Sequence, residues 1–386
     1  MHNGKILILT GNYGDGHQQA AAAIGHSMQL NYPGAETVIV DVMDLTHPYF
    51  HSIGRYLFLQ GLKKVPSMYG YLYRKTRHVN TFSDFLKKIN RFGGDKLLHL
   101  IQRTGPSVVV STFPGAAGLM SLLKSNNLTD VPTVTVMTDY TVHSYWVYPY
   151  TDLYIVGSDE VKQGLLRHHI PGHEINVSGI PIRLEFNPNL DIAKLRIKHR
   201  LENDRPTLLI MGGGDGFFGE VPHQIELLES VADPIQVMII CGHNQRLKQQ
   251  LEDKLKHSRH RIFILGYIDY VHELMAVSDL LVTKAGGLTI TEALAMELPM
   301  IVFKPLPGQE EDNVDFLLQS GVALLASSAK DLVNKISECF WKPAILRAMS
   351  LKARHIAKRR AGLDAAEAIW KLSYKGSAYQ QGLSGG

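Results

Sequence analysis

Two stretches of this 386-residue chain carry residue types suited to an anion with a sugar attached: Thr283-Lys284-Ala285-Gly286-Gly287-Leu288-Thr289-Ile290-Thr291-Glu292 and Lys304-Pro305-Leu306-Pro307-Gly308-Gln309-Glu310-Glu311-Asp312-Asn313. In the first, an apolar strand runs into paired glycines and then a helix. Glycines let backbone approach an anion, and the free amides and positive dipole end of a helix hold it. Glu292 stands where a carboxylate accepts bonds from a ribose diol, and the second stretch adds an amide and carboxylates in a row. Near the N-terminus, Gly14-Asp15-Gly16-His17 follows another strand. As a dinucleotide fingerprint it is incomplete, since Gln19 takes the third glycine position, although Asp41 would serve as the ribose acid. The alternative is a small-residue loop that turns His17 toward a ligand as a proton acceptor; a histidine that merely caps or packs at a helix start is the bland counterpart.

These residues need an α/β scaffold. Strand patterns at Lys5 to Thr10, Thr37 to Val42, Ser107 to Ser111, Thr133 to Met137 and Leu153 to Val156 alternate with helical patterns, which predicts a parallel sheet covered by helices. A second series begins at Thr207 to Met211 and continues at Gln236 to Cys241, Arg261 to Leu265, Leu280 to Val282 and Met300 to Phe303. Gly179-Ile180-Pro181-Ile182-Arg183 reads as the link. The expected division is 1–182, 183–342, a helical segment 343–374 packing back toward the first domain, and a disordered tail 375–386. Two such domains place a cleft between them, with ligands outside the carboxyl ends of the strands.

Several segments, in order from Lys5 to about Leu318, carry a resemblance. Leu9 to His17, Val136-Met137-Thr138-Asp139-Tyr140 with Trp146-Val147, Ser178 to Arg183, Thr283 to Gly287 and Lys304 to Glu310 look like the diacylglycerol glycosyltransferases. These are the processive bacterial glucosyltransferases and plant monogalactosyldiacylglycerol synthases, with more distant similarity to the transferase that completes lipid II. The resemblance implies a GT-B fold, two Rossmann-like domains facing a cleft, a UDP-hexose donor, a diacylglycerol acceptor and inversion at the anomeric carbon. It implies that Gly286, Gly287 and Thr289 hold the donor diphosphate and that Glu292 binds the ribose. Gln309 and Glu310 would meet the sugar hydroxyls, and Tyr267-Ile268 would lie beside the uracil. His17 becomes the general base and Asp139 an acid that orients or assists it. Gly16 and Gly213 join the donor-binding candidates, and Lys284 stands by the diphosphate. Leu288 departs from the proline or isoleucine that relatives often carry there, and Gly212-Gly213-Gly214 is richer in glycine than the pattern asks.

Composition narrows the setting. No cofactor or metal is expected: the chain has no Asp-x-Asp triplet, and His168, His169 and His173 read as solvent-facing loop histidines. The leaving diphosphate would then be stabilised by helix amides and Lys284. Two cysteines, Cys241 and Cys339, suit a reducing cytoplasm, and neither a signal pattern nor a spanning apolar run is seen. The net charge of +4 is uneven: Phe50 to Leu100 holds ten Lys and Arg against two Asp, so the remainder is net acidic. Thr46 to Arg91 reads as mostly helical, and because Tyr and Phe interleave with those cations, Thr46 to Lys96 reads as a contact for an anionic membrane surface, placing the protein peripherally on the inner face of the cell membrane. Half-buried aromatics with solvated basic faces are the rival, and no nucleic-acid motif is present. A UDP-sugar epimerase and a non-catalytic nucleotide-sugar sensor are the alternative functions that share these features.

Overall fold

The computed structural model describes residues 4–12, 14–46, 66–77, 93–214 and 226–383. They divide into two compact units, Met1–Leu184 with Lys358–Gly386, and Glu185–Ala357. Much of the basic aromatic segment therefore lies outside the described residues.

In the first unit the chain runs β1 (Lys5–Thr10), α1 (Asp15–Asn31), β2 (Glu36–Asp41), α2 (Val42–Thr46), α3 (Pro66–Thr76), α4 (Gly94–Thr104), β3 (Val108–Ser111), α5 (Pro114–Ser125), β4 (Thr133–Val136), β5 (Leu153–Ile155), α6 (Asp159–Arg167) and β6 (Ile175–Asn176). The strands form one parallel sheet in the order β2-β1-β3-β4-β5-β6. Successive residues of a strand point to opposite faces. Ile6 and Ile8 accordingly pack with Ala21, Ile24 and Met28 of α1, whereas Leu7 and Leu9 pack with Leu97 and Ile101 of α4 and Met120 of α5. A strand buried on both faces reads as an unbroken apolar run, which is why Lys-Ile-Leu-Ile-Leu-Thr shows no alternation.

The second unit contains α7 (Ile192–Lys198), β7 (Thr207–Met211), β8 (Gln236–Ile240), α8 (Gln245–Lys254), β9 (Arg261–Leu265), α9 (Val271–Ala276), β10 (Leu280–Thr283), α10 (Gly287–Ala295), β11 (Met300–Phe303), α11 (Gln309–Ser320), β12 (Ala323–Ala326), α12 (Ala329–Trp341) and α13 (Pro343–Ile356). Its sheet is also parallel, ordered β12-β11-β10-β7-β8-β9. Leu208, Ile210, Val237, Ile239, Val282 and Ile301 form one core with Ile336 and Cys339 of α12 and Met349 of α13.

The segment 343–374, read from sequence as one helical piece, is two helices in different units. The helix α13 stays with the second unit and ends as Ala357 turns extended (φ −62°, ψ 129°). Then α14 (Ala361–Leu383) packs in the first unit, placing Ala365, Ala366 and Ile369 against Ala21 and Ile24 of α1, and it runs past residue 374 where the sequence reading put the start of a disordered tail. Close approach is built in at Gly179: its φ is +100°, and a Cβ there would come within 2.9 Å of the Ala361 Cβ.

Both sheets share one topological feature. In the first unit the chain steps outward from β1 to β2 and returns to β3 on the other side of β1. In the second it steps from β7 out to β9 and returns to β10 on the other side of β7. The loops leaving β1 and β3, and those leaving β7 and β10, lie at these switch points, at the carboxyl ends of the strands, where ligands of open α/β sheets bind.

Candidate active site

His17 sits at the switch point of the first unit. The helix α1 begins at Asp15, so Gly16 and His17 lie within its first turn rather than ahead of it. The side-chain hydroxyl of Thr112, just after β3, donates to the His17 carbonyl at 3.0 Å, tying the loops that leave β1 and β3 together. The Phe113 ring meets the imidazole edge-on with centroids 5.4 Å apart. That ring also explains Gly11, where a Cβ would stand 2.8 Å from it.

On another side the His17 Nδ1 lies 3.1 Å from the Thr138 hydroxyl, and the Trp146 ring is 6.0 Å away. If Nδ1–H donates to Thr138, Nε2 presents its lone pair, which is the tautomer a base requires. Burial among these groups lowers the histidine from its ordinary 6.5 to about 4, with hydrogen bonding to the Thr112 backbone offsetting part of the effect. At neutral pH the imidazole is therefore uncharged and able to accept a proton.

Asp139 is buried, one residue beyond Thr138. Thr138, a partner of the imidazole, is a residue the sequence reading passed over in favour of its acidic neighbour. Asp41, the candidate ribose acid of the dinucleotide alternative, accepts from the Met43 amide at 2.8 Å at the start of α2, an ordinary capping use of a carboxylate.

In the second unit the candidates follow the sheet edge. Lys284 comes directly after β10 and is buried; Ala285 takes φ +78°, a strained setting for a residue with a Cβ; Gly286 is the N-cap of α10, and Gly287 begins it. Thr289 and Glu292 lie half-buried in the first and second turns of that helix. From the neighbouring strand, α11 sends two buried side chains toward the same turn. Asn313 donates through Nδ2 to the Ala285 carbonyl at 3.0 Å, and Glu310 accepts from the Leu306 amide at 2.7 Å. A Cβ on Gly286 would lie 3.9 Å from Glu310 Oε1. Glu310 thus braces the turn, while Gln309, half-buried at the first position of α11, lies at the same strand end.

Beyond the switch point, Gly213 (φ +78°) follows β7 with open space where a side chain would be. The adjacent Gly214 carbonyl accepts from the His243 amide at 2.8 Å. The His243 ring stacks on Tyr267 with centroids 4.3 Å apart and planes 13° from parallel. Tyr267, after β9, is 52% exposed, so the stacked pair offers an aromatic surface, and Ile268 beside it is half-buried. The sequence reading missed His243 and named Asn313 only as the end of the second polar stretch. Asn313 had a signal, since it lies one helical turn from Gln309 and Glu310; the His243 stack joins two loops that only the fold brings together.

These loops follow β11, β10, β7, β8 and β9 in sheet order, four inter-strand steps of about 4.8 Å each. The edge runs from Gln309 and Glu310, through the glycine turns and the amides of α10, to the aromatic pair. Polar side chains, helix-start amides and an aromatic face thus follow one another along this edge.

Comparisons with known proteins follow the same division. The profile of the monogalactosyldiacylglycerol (MGDG) synthase family matches residues 17–182, and that of the glycosyltransferase family 28 C-terminal domain matches residues 207–365. The chain is 32% identical to a processive diacylglycerol beta-glucosyltransferase of Bacillus pumilus (strain SAFR-032) over 362 residues, 92% of each chain. It is 32% identical to the protein of that name from Staphylococcus carnosus (strain TM300), covering 87% of this chain and 84% of the relative. Among solved structures, MurG of Acinetobacter baumannii is similar with a TM-score of 0.62 at 16% identity, over 95% of this chain and 99% of that one. At that identity the likeness speaks for the fold, a pair of parallel-sheet α/β domains of the GT-B class.

Proposed function

The chain belongs to the diacylglycerol glycosyltransferase family, and from that premise we propose that it transfers a hexose, glucose rather than galactose, from UDP to diacylglycerol or a glycosyldiacylglycerol at a membrane surface, with inversion. It is an enzyme, a UDP-sugar-dependent glycosyltransferase. The glucose preference is supported by the names of the similar bacterial proteins, which are beta-glucosyltransferases. The observation that carries the reading is His17 itself: an uncharged imidazole at a switch point, with Thr138 on one nitrogen.

In the proposed reaction Nε2 of His17 takes the proton from the acceptor hydroxyl as its oxygen bonds to the anomeric carbon. The bond from that carbon to the diphosphate oxygen breaks, and UDP departs. Asp139 supplies negative charge for the imidazolium that forms. The amides opening α10 at Gly286 and Gly287, with Thr289 and Lys284, take up the charge developing on the diphosphate. Glu292 binds the ribose, Tyr267 with Ile268 and His243 the uracil, and Gln309 the sugar hydroxyls. Gly16 and Gly213 keep the backbone low beside the ligand.

Membrane contact is assigned to the segment from Thr46 to Lys96, which makes the enzyme a peripheral protein of the inner face of the cell membrane. Among the described residues no helix is long and apolar enough to cross a bilayer. In α3, Met68, Tyr71 and Leu72 are 57%, 58% and 40% exposed, and Lys75 lies over the Tyr71 ring at 5.9 Å. Spaced i, i+3, i+4 and i+7, these four share one helix face, an apolar stripe with a cation at its end, which suits an anionic headgroup region.

The test is His17→Ala. Transfer of radiolabelled glucose from UDP-glucose to diacylglycerol should vanish while UDP binding by calorimetry persists. Equal loss of both would remove His17 from the chemistry.

A further inference from the structure

The last turn of an α-helix leaves carbonyls without intrahelical partners. In α3 the loop after β4 meets that need. Buried His143 places Nε2 3.0 Å from the Tyr73 carbonyl and 3.3 Å from the Thr76 hydroxyl, while its Nδ1 accepts from the Tyr145 amide at 3.2 Å. Since Nδ1 is the acceptor, the proton sits on Nε2 and is donated to the helix. Ser144 adds two more bonds: its hydroxyl donates to the Thr76 carbonyl at 2.6 Å and its amide to the Arg77 carbonyl at 3.0 Å. The His143 ring also packs against Tyr73 and Tyr145, with centroids 4.3 Å and 4.7 Å away.

The same loop holds His17. Thr138, five residues before His143, meets the His17 ring, and Trp146, three residues after it, stands against another side of that ring. One nine-residue segment therefore grips the imidazole near both its ends and the helix terminus in its middle. The opposite face of α3 is the exposed stripe of Met68, Tyr71, Leu72 and Lys75.

We propose that His143 is a positioning residue that couples the two: it fixes α3 to the loop holding His17, so that lodging of the α3 stripe in an acceptor-bearing lipid surface sets His17 in register for proton transfer. The coupling rests on the reading of His17 as base and of α3 as lipid-facing. It gives His143 no contact with the substrate. It makes turnover of acceptor in a bilayer faster than turnover of the same headgroup free in solution.

The experiment compares glucose transfer to dioleoylglycerol in phosphatidylglycerol-containing vesicles with transfer to monomeric dihexanoylglycerol, both from UDP-glucose. Wild type should favour the vesicles. His143→Ala should lower kcat on vesicles about tenfold, the scale of one buried bond lost, with the KM for UDP-glucose unchanged and the soluble rate little altered. A Gln side chain brings an amide N–H to the Nε2 position, so His143→Gln should keep the vesicle preference, whereas His143→Asn, which reaches only the Nδ1 position, should lose it. Combining Met68→Ser and Leu72→Ser with His143→Ala should cost no more than either change alone. A vesicle preference retained in His143→Ala, a proportional fall on both acceptors, or equal behaviour of the Gln and Asn variants would overturn the coupling. If the Ala variant fails to fold, the Gln and Asn pair decides. A readout independent of turnover is the ring 15N signal of His17 in labelled protein, assigned with His17→Gln: it should shift on adding lipid nanodiscs in wild type and His143→Gln and stay fixed in His143→Asn. A wild type that shows this shift yet transfers no sugar would fault the functional reading and leave the coupling standing; no shift in wild type would remove the coupling even from an active enzyme.

Discussion

Lowering the pH tests the environment of His17 directly. Its pKa is depressed to about 4 by burial beside Phe113 and Trp146. If His17 is the base, kcat/KM should stay flat from pH 8 down to about 5. At pH 5.5 an unperturbed histidine would leave about a tenth of the molecules in the basic form, whereas a pKa near 4 leaves nearly all of them. The two cases thus differ by about tenfold in rate at a single pH. The same shift has a sign in stability. A depressed histidine binds its proton more readily when unfolded, so its contribution is fully present above 6.5 and is lost as pH falls from 6.5 toward 4. Two and a half units correspond to at most about 3 kcal/mol, an upper bound because a half-buried ring is partly screened by solvent. His17→Gln should flatten that part of the stability curve. The assay is a 15N ring titration of labelled protein beside a pH–rate profile and urea unfolding of wild type and His17→Gln. An acid limb near 6.5 that coincides with the ring titration of His17 would refute the burial argument.

Two further substitutions probe the partners of the site. Thr138→Val removes the hydroxyl that pins the His17 tautomer, so kcat should fall about tenfold, the scale of a lost buried hydrogen bond, with UDP affinity unchanged by calorimetry and activity restored in Thr138→Ser. Asn313→Leu leaves the Ala285 carbonyl unpaired behind the glycine turn, at a cost of about 1–3 kcal/mol; the Kd for UDP should rise accordingly, and an unchanged Kd would detach that turn from donor binding.

Much of the scaffold was legible because most strands of both sheets are buried on both faces and so read as unbroken apolar runs. Two strands were not foreseen. At the sheet edge β12, Ala-Leu-Leu-Ala, leaves Leu325 39% exposed, and β6 is two residues long; neither produces a run that stands out from its surroundings. The break between α13 and α14 was hidden for a different reason. Ile356-Ala357-Lys358-Arg359 holds neither glycine nor proline, and the helix ends where the chain passes from one unit to the other. His17 could be singled out because glycines precede it. Thr138 could not, since its bond to the imidazole spans 121 positions of the chain. Local pattern exposes residues whose neighbours in sequence are unusual, and it is blind to those whose neighbours in space are.

Glu310 shows what the fold adds to a functional assignment. The family resemblance pairs it with Gln309 at the sugar hydroxyls, where the residues alone read as an amide and carboxylates in a row. In the fold its side chain is 8% exposed and accepts from the Leu306 amide four residues back, beside the turn at Gly286. A buried carboxylate bonded to its own loop holds that loop in shape, and Asn313 does the same for Ala285 from the next turn of α11. The two side chains therefore work as a brace under the turn at Gly286, with Gln309 half-buried at the start of the same helix. If Gln309 meets the hexose and the turn at Gly286 holds its diphosphate, both contacts rest on the same twelve-residue helix, so a substitution that loosens Glu310 or Asn313 should weaken UDP binding before it alters which sugar is transferred.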